Sequence, residues 1–198
     1  MAARNPMKKA LQALAFLLAL GALLLSPWFK ALAPSADPSV LEPPEVCEVF
    51  SGQVVGVMDG DTIAVLRNGK EVRIRLHGVD APEKRQAFGA KAKTFTSEQV
   101  FGKTVRVAVK DYDKYGRWVG EVFVEERAGP DTRELSLNAA LVEAGLAWAY
   151  RKYSQDFVPQ EEAARAARRG LWSQPQPQAP WDFRHGGKTT HEAHAAEP

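Results

Sequence analysis

The chain of 198 residues has a single cysteine and four histidines. One cysteine, Cys47, rules out an internal disulfide, and no spacing of cysteine and histidine favours a zinc enzyme. The chain also lacks a large surplus of either charge, because it has 26 lysines and arginines and 24 acidic residues. A protein that binds nucleic acid through overall positive charge is therefore not expected, and any such binding depends on where individual basic residues lie.

Long apolar runs are absent apart from one near the N-terminus, from Ala10 to Leu25. Three basic residues precede it: Arg4, Lys8 and Lys9. Its length lies between the ~7–15 apolar residues of a signal peptide core and the ~17–25 of a spanning helix. Residues 1–30 are therefore predicted to be a signal peptide or an N-terminal membrane anchor, and both alternatives stay open. Either one predicts an exported protein, secreted or anchored on the extracytoplasmic side of a membrane.

Composition divides the rest of the chain into a linker, one domain and a tail. Residues 31–48 are rich in proline and small residues, which is typical of a linker. Residues 49–173 have room for a single domain, and we expect a monomer because no apolar interface is evident. Residues 174–198 are rich in proline and glutamine and are predicted to form a disordered tail, in which Trp181, Phe183 and Arg184 are candidates for docking on the domain.

The apolar pattern of the domain predicts a mainly β fold with about three helices, of the α+β class. Alternation and turn residues predict five strands, at Val49–Val57, Thr62–Leu66, Glu71–His77, Thr104–Lys110 and Arg117–Val124. Helices are predicted at Phe88–Val100, from Ser136 or Asn138 to Ala144, and from Pro159 to Gly170, with a polar loop at Glu126–Thr132. Five short strands with a helix after the third favour a barrel of the oligonucleotide-binding type, the OB fold.

The stretch from Val57 to Glu83 concentrates charge among strand-forming residues. Six of its charged residues are of interest, four carboxylates and two arginines: Asp59, Asp61, Asp80, Glu83, Arg73 and Arg75. Strand alternation places Arg73 on a solvated face, whereas Arg75 is close in sequence to two of the carboxylates. Two aspartates from the ends of a hairpin make a hard-oxygen cation site, and the fork of an arginine suits a phosphate. A cation, an arginine and a spare carboxylate are the parts of a phosphodiester hydrolase.

Four motifs follow one another in a fixed order along the chain. They are D-G-D-T at Asp59–Thr62, R-L-H-G-V-D-A-P-E at Arg75–Glu83, D-K-Y-G-R at Asp113–Arg117 and G-L-A-W-A-Y at Gly145–Tyr150. A D-G-D-T motif alone is weak because Asp-Gly turns are common. The ordered set resembles the staphylococcal nuclease (thermonuclease) family over residues 51–172, and this resemblance implies a five-stranded OB-fold barrel.

The resemblance also implies a calcium site. Asp61 and Asp80 are expected to bind Ca²⁺ through their carboxylates, and Ala81 through its main-chain carbonyl oxygen. The family usually has threonine at the position of Ala81, so a hydroxyl is lost while the backbone ligand is kept. Asp59 is expected near the ion without binding it, and an ordinary turn residue is an equally good interpretation of this aspartate.

Catalytic and substrate-binding residues follow from the same resemblance. Glu83 is expected to take a proton from the attacking water or to orient that water. Arg75 and Arg117 are expected to clamp the phosphate and to offset the charge of the transition state. Substrate contacts are implied for three more residues: Lys114 and Tyr115 at a terminal phosphate, and Tyr150 under a stacked base. A core position is the alternative for Tyr150.

The function implied is that of a calcium-dependent endonuclease acting on DNA and RNA with little sequence preference and leaving 3′-phosphates. Single strands are expected to be preferred, because stacking on an aromatic ring needs an unpaired base. The alternative is a non-catalytic OB-fold module that binds nucleic acid or protein. Scaffold barrels similar to the family usually lack some of the carboxylates or arginines that are present here.

Overall fold

The computed structural model describes residues 48–128 and 131–186. The predicted export segment, nearly all of the predicted linker and residues 187–198 lie outside the described residues. The described strands are β1 (Val49–Val57), β2 (Thr62–Arg67), β3 (Lys70–Leu76), β4 (Val79–Asp80), β5 (Thr104–Tyr112), β6 (Trp118–Ala128), β7 (Asp131–Ser136) and β8 (Trp148–Ala149). The described α-helices are α1 (Gly89–Val100), α2 (Leu137–Glu143), α3 (Val158–Ala166) and α4 (Pro180–Arg184). In this part of the chain no helix has the length and apolar character that crossing a membrane requires.

Five of these strands close into a barrel. Strands β3, β2, β1, β5 and β6 are hydrogen-bonded neighbours in that order, and a parallel pairing of β3 with β6 closes the ring. Helix α1 follows the third barrel strand in sequence, with only the two residues of β4 as intervening strand. The predicted α+β fold with a five-stranded OB-type barrel is therefore confirmed, with four α-helices in the described residues where about three were expected.

The β2–β3 hairpin forms as its sequence predicts. Asn68 and Gly69 have φ angles of 51° and 76°, and a two-residue turn of this type needs positive values at both positions. The three apolar residues of β3, Val72, Ile74 and Leu76, are buried in the barrel. Alternation along the strand therefore turns Arg73 and Arg75 away from the core interior.

A β6–β7 hairpin lies where a polar loop was predicted at Glu126–Thr132, so that prediction is wrong. The two strands pair from Phe123 opposite Ser136 to Ala128 opposite Asp131. Glu126 faces Arg133 across the pair, and an Nη2–Oε2 distance of 2.6 Å joins them. This part of the hairpin is stabilised by cross-strand charges instead of an apolar face, so period-two hydrophobicity could not reveal it.

The third predicted helix is shorter than expected. Helix α3 ends at Ala166, and a separate 3-10 helix covers Gly170–Ser173. The first turn of α3 contains Glu161, whose side chain is 1% exposed and pairs with Arg151 and Arg165 at 3.0 and 3.2 Å. The carboxylate of Glu161 is thus a buried ion-pair partner within the packed domain. It also lies at the N-terminal end of α3, where the helix dipole favours a negative charge.

The C-terminal segment packs on the domain as far as it is described. Gln86 Nε2 donates a 2.6 Å hydrogen bond to the carbonyl oxygen of Gln178, and Pro180 and Asp182 of α4 are buried. The ring of Trp181 lies 5.4 Å from that of Trp148 in an edge contact. The prediction of a disordered tail from residue 174 onward is therefore wrong for this segment. The expected docking is seen for Trp181 and Arg184, whereas Phe183 is 36% exposed.

Candidate active site

The turn that joins β1 to β2 is fixed against the helix and the neighbouring strand. Thr96 of α1 donates a 2.6 Å hydrogen bond from Oγ1 to the carbonyl oxygen of Gly60. The main-chain nitrogen of Leu76 donates to the carbonyl oxygen of Asp61 at 2.8 Å. A Cβ at Gly60 would lie 2.7 Å from the Cβ of Ala92, so glycine permits this close approach. The position of Asp61 is therefore set by the core of the domain.

Arg75 holds two aspartates together at this end of the barrel. Its Nη1 lies 2.6 Å from Oδ2 of Asp61, and its Nη2 donates to Oδ1 of Asp80 at 2.8 Å. The exposed fractions of these three side chains are 14%, 8% and 1%. Asp80 is positioned by β4, which pairs with β8 so that Asp80 lies opposite Trp148. A cluster of opposite charges is thus assembled in a nearly dry environment.

Burial disfavours the charges of this cluster, and the neighbouring charges offset the penalty. Burial opposes the charged form of Arg75, but the three nearby aspartates raise its pKa overall. Burial raises the pKa of Asp80, although Arg184 and Arg75 act to lower it. The pKa of Asp59 is raised to about 6, first by burial and then by the negative charge of Asp61. Negative charge is therefore in excess here, and a bound cation would relieve it.

The donor atoms suit a hard divalent cation. Among the residues described, no group of three or more histidine, cysteine or acidic side chains forms a complete metal cage. Calcium takes ~6–8 oxygen ligands, and the protein does not need to supply all of them. An open site fits calcium when two carboxylates and a main-chain carbonyl are completed by waters and a substrate oxygen. The main-chain nitrogen of Ala81 donates to Oδ2 of Asp61 at 2.6 Å. The backbone of Ala81 therefore lies beside Asp61, and binding of calcium by its carbonyl oxygen stays a prediction.

Glu83 is the accessible carboxylate of the cluster. Its side chain is 42% exposed, whereas that of Asp80 is 1% exposed. Its Oε1 accepts a 2.8 Å hydrogen bond from Nη1 of Arg184, and the same guanidinium contacts Asp80 through Nη2 at 2.7 Å. A carboxylate that is open to water and close to the aspartate pair has the access that activation of an attacking water needs.

Arg117 lies at the same end of the barrel but is held by its own loop. It precedes β6, whose Val119 pairs with Arg75 of β3. The Nη2 and Nε atoms of Arg117 lie 2.7 and 2.8 Å from Oδ2 of Asp113. Asp113 also accepts hydrogen bonds from the main-chain nitrogens of Tyr115 and Arg117, at 2.9 and 3.0 Å. The structure therefore places Arg117 near the site while its guanidinium pairs with Asp113.

Lys114 and Tyr115 form the exposed tip of this loop. The ring of Tyr115 is flanked by Nζ of Lys114 at 5.1 Å and by the guanidinium carbon of Arg117 at 5.5 Å from its centroid. Tyr115 is 71% exposed and Lys114 is exposed too, so the ring and the ammonium group are open to a ligand. A basic and aromatic tip of this kind is suited to a phosphate and an unpaired base.

Tyr150 has one face covered. The ring of Trp181 lies parallel to it, with centroids 5.2 Å apart and an angle of 8°, and Tyr153 meets its edge at 4.8 Å. Burial, followed by the negative charge of Asp80, raises the pKa of the Tyr150 hydroxyl, which places this ring within electrostatic range of the carboxylates. Tyr150 is therefore not a free stacking surface, because Trp181 already stacks on one face of its ring. It is not a simple core residue either.

The predicted residues thus fall into three groups. The barrel end gathers Asp59, Asp61, Arg75, Asp80, Ala81 and Glu83. The adjacent loop carries Arg117, Lys114 and Tyr115, and Tyr150 lies under α4. Their roles in binding and catalysis stay predictions.

Arg184 belongs to the cluster although the motifs did not include it. The signal in the sequence was the spacing of Trp181 and Arg184, three residues apart, which puts both on one face of a helix. What the sequence could not supply was the position of that helix over the carboxylates.

Comparisons with known proteins identify relatives of this chain. The sequence model of the family described as "Staphylococcal nuclease homologue" matches residues 73–174. A protein of Shigella flexneri named "Micrococcal nuclease" is 42% identical over 144 residues, which cover 70% of this chain and 83% of that protein. "Protein ParB" of Escherichia coli is 46% identical over 138 residues, covering 67% and 78% of the two chains. An "Uncharacterized endonuclease" of Escherichia coli is 42% identical over 144 residues, covering 72% and 90%.

Proposed function

This chain belongs to the staphylococcal nuclease family, and we propose that its nuclease activity is that of a calcium-dependent endonuclease acting on DNA and RNA with little sequence preference. The observation that supports this best is the joining of Asp61 and Asp80 by Arg75, with the accessible Glu83 beside them. This arrangement offers a cation site, a phosphate-binding arginine and a base to one scissile bond.

Each residue of the cluster has a chemical task in this proposal. Asp61, Asp80 and the carbonyl oxygen of Ala81 hold the calcium ion, which supplies positive charge to the phosphate oxygens when bound. Glu83 accepts a proton from the attacking water or orients it. Arg75 donates hydrogen bonds to the phosphate, and its burial strengthens them because water does not compete.

The loop at Arg117 completes the clamp on the phosphate. Since Arg117 is paired with Asp113 on a half-exposed loop, it can turn to the substrate at a small electrostatic cost. Lys114 and Tyr115 take a terminal phosphate, and the products carry 3′-phosphates. Unpaired strands are the preferred substrates, because stacking of a base on an aromatic side chain needs a free base face.

The site of action proposed is outside the cytoplasm. The basic residues and apolar run within residues 1–30 support export, with the domain released or anchored to the membrane by that segment. We propose that the protein acts as a monomer.

The test uses the full chain with heat-denatured DNA and with RNA, in calcium, in magnesium and in chelator. We expect digestion in calcium that stops in chelator, and a ~10²–10³-fold slower rate for Glu83→Gln. Glu98→Gln, on an exposed position of α1, is the matched control and should digest at the rate of the unchanged protein. Release of phosphate from the products by a phosphatase specific for 3′-phosphates checks that the bond between phosphorus and the 5′-oxygen is the one broken.

Two outcomes would contradict the proposal. Full digestion in chelator would exclude the calcium requirement. Tight binding of single strands without cleavage in any metal would instead favour the non-catalytic binding module, since the residues would then hold nucleic acid without cutting it.

A further inference from the structure

The guanidinium of Arg184 occupies the open side of the carboxylate cluster. Its Nη2 lies 2.7 Å from Oδ2 of Asp80, and its Nη1 lies 3.3 Å from Oδ1 of the same aspartate. The Nη1 atom also donates to Oε1 of Glu83 at 2.8 Å. Arg184 comes from the last turn of α4, outside residues 73–174 that match the family.

Both oxygens of Asp80 are engaged in this arrangement. Oδ1 accepts from Arg75 and Arg184, and Oδ2 accepts from Arg184. The side chain of Asp80 is 1% exposed, so few other groups can reach it. A cation that approaches Asp80 from the accessible side therefore meets a positive charge already hydrogen-bonded to its ligand.

The side chain of Arg184 can leave while its helix stays. Pro180 and Asp182 of α4 are buried, and Trp181 stacks on Tyr150, so the helix is anchored independently of the arginine. The side chain of Arg184 itself is 39% exposed, which gives its long flexible stem a path into water. Exchange of one cation for another thus requires a side-chain rotation and no displacement of the helix.

We propose that Arg184 is an internal counter-ion that takes the place of the calcium ion in the cation-free protein, competes with calcium for Asp80 and holds Glu83 in an ion pair until the cation binds. The inference rests on the proposed function, because it assumes that calcium binds at Asp61 and Asp80. Arg184 keeps the two acids close together before the ion arrives, and the ion must displace it. The same exchange frees Glu83 from its ion pair, so the base becomes available only when the cation is in place.

The test measures calcium binding to the full chain by calorimetry with calcium chloride, without nucleic acid. Arg184→Gln should bind calcium about tenfold more tightly than the unchanged protein, since a competing charge has been removed. In chelator the same variant should melt at a lower temperature, because the buried carboxylate of Asp80 has lost a partner. Arg184→Lys, which keeps the charge and loses the fork, should lie between the two.

Arg165→Gln is the matched control. Arg165 is 46% exposed and pairs at 3.2 Å with Glu161, which is 1% exposed, so it too is a half-exposed arginine on a buried carboxylate. Its loss should lower the melting temperature in chelator and leave the calcium affinity unchanged. The comparison separates loss of an ion pair from loss of a competitor.

Three results would overturn the inference. A calcium affinity of Arg184→Gln within twofold of the unchanged protein would make Arg184 a structural ion pair only. A weaker affinity would mean that Arg184 organises the ligands for calcium instead of competing with it. Failure of the unchanged protein to bind calcium would remove the proposed calcium dependence as well, which distinguishes that failure from the other two.

Discussion

The two halves of the candidate site are built in different ways. In the barrel half, Arg75, Asp61 and Asp80 are 14%, 8% and 1% exposed. They come from β3, the β1–β2 turn and β4, and the more distant elements α1 and β8 hold that turn and β4 in place. In the loop half, Arg117 and Asp113 are 27% and 20% exposed and lie four residues apart. The barrel half therefore depends on the whole fold for its geometry, whereas the loop half is made by local contacts.

This difference predicts different energetic roles for two arginines that are both expected to bind phosphate. Removing one partner of a buried ion pair leaves an uncompensated charge and typically costs ~3–5 kcal/mol, whereas half-exposed pairs contribute about 0–1 kcal/mol. Arg75 should thus be needed for folding and for catalysis, and Arg117 for catalysis alone. The buried half is preorganised, and the loop half is free to adapt to a substrate.

The largest expected effect tests that contrast directly. Arg75→Gln should lower the free energy of unfolding by ~3–5 kcal/mol in chelator, because Asp61 and Asp80 lose their shared partner. Arg117→Gln should change it by less than about 1 kcal/mol. Both variants should lose ~10²–10³-fold in kcat/KM on single-stranded DNA. Denaturant unfolding and initial rates in calcium measure the two quantities.

Equal losses in the free energy of unfolding for Arg75→Gln and Arg117→Gln would contradict the comparison. The burial of Arg75 would then add nothing to its contribution to stability. The double replacement Asp80→Asn with Arg75→Gln serves as a control for unfolding only. It should recover part of the stability lost in Arg75→Gln, because the remaining buried negative charge is smaller.

A smaller effect is expected from the residue that holds the loop half. Burial opposes ionisation of Asp113, but hydrogen bonds from Arg117 and Tyr115 lower its pKa overall. Because its pKa in the folded protein is below the unfolded value, ionised Asp113 stabilises the fold above the unfolded pKa. That contribution is lost as the pH falls through the folded pKa. Asp113→Asn should therefore cost about 1 kcal/mol at pH 7, and the difference should vanish in acid below the folded pKa.

Unfolding curves of the two proteins at several pH values check this prediction. A difference in stability that persists unchanged into strong acid would contradict it. At neutral pH the variant should also raise KM more than it lowers kcat, because a loosened Arg117 loses its starting position near the phosphate but keeps its charge. A fall confined to kcat would point to a role for Asp113 in the chemical step.

The features predicted well from the sequence were those that local chemistry determines. The Asn68-Gly69 turn and the alternation of β3 fix the hairpin, and the hairpin fixes which face carries Arg75. The same hairpin brings Asp61 and Asp80 together from its two ends, as predicted. Each of these depends on a pattern that is visible within a few residues.

The features that were missed depend on contacts between distant segments. The β6–β7 hairpin pairs charged residues such as Glu126 and Arg133 across its strands, and its sequence has no apolar alternation that would predict it. Arg184 reaches Asp80 across 104 positions of sequence, from a segment whose proline and glutamine content is typical of disorder. The packing of Trp181 on Tyr150 outweighs that composition, and only the fold shows that these rings meet.

The smallest expected effect concerns the tip of the loop half. Lys114 is exposed and lies beside the ring of Tyr115, so it can neutralise a phosphate while giving up few contacts of its own. Lys114→Ala should weaken the binding of single-stranded DNA only a few-fold. The slope of log affinity against log salt should fall in magnitude by ~0.7, the value for one phosphate contact on a single strand. Fluorescence anisotropy measures both, in the Glu83→Gln background so that the strand stays intact.

Lys103 provides the matched control, because it is an exposed lysine just before β5, at the opposite end of that strand from the Asp113–Arg117 loop. Lys103→Ala should leave the salt slope unchanged, since a lysine far from the strand path releases no counterion on binding. Equal slopes for the two variants would mean that the loop tip does not contact phosphate. The adaptable half of the site would then be reduced to Arg117 alone, and the contrast with the barrel half would rest on the stability of that one ion pair.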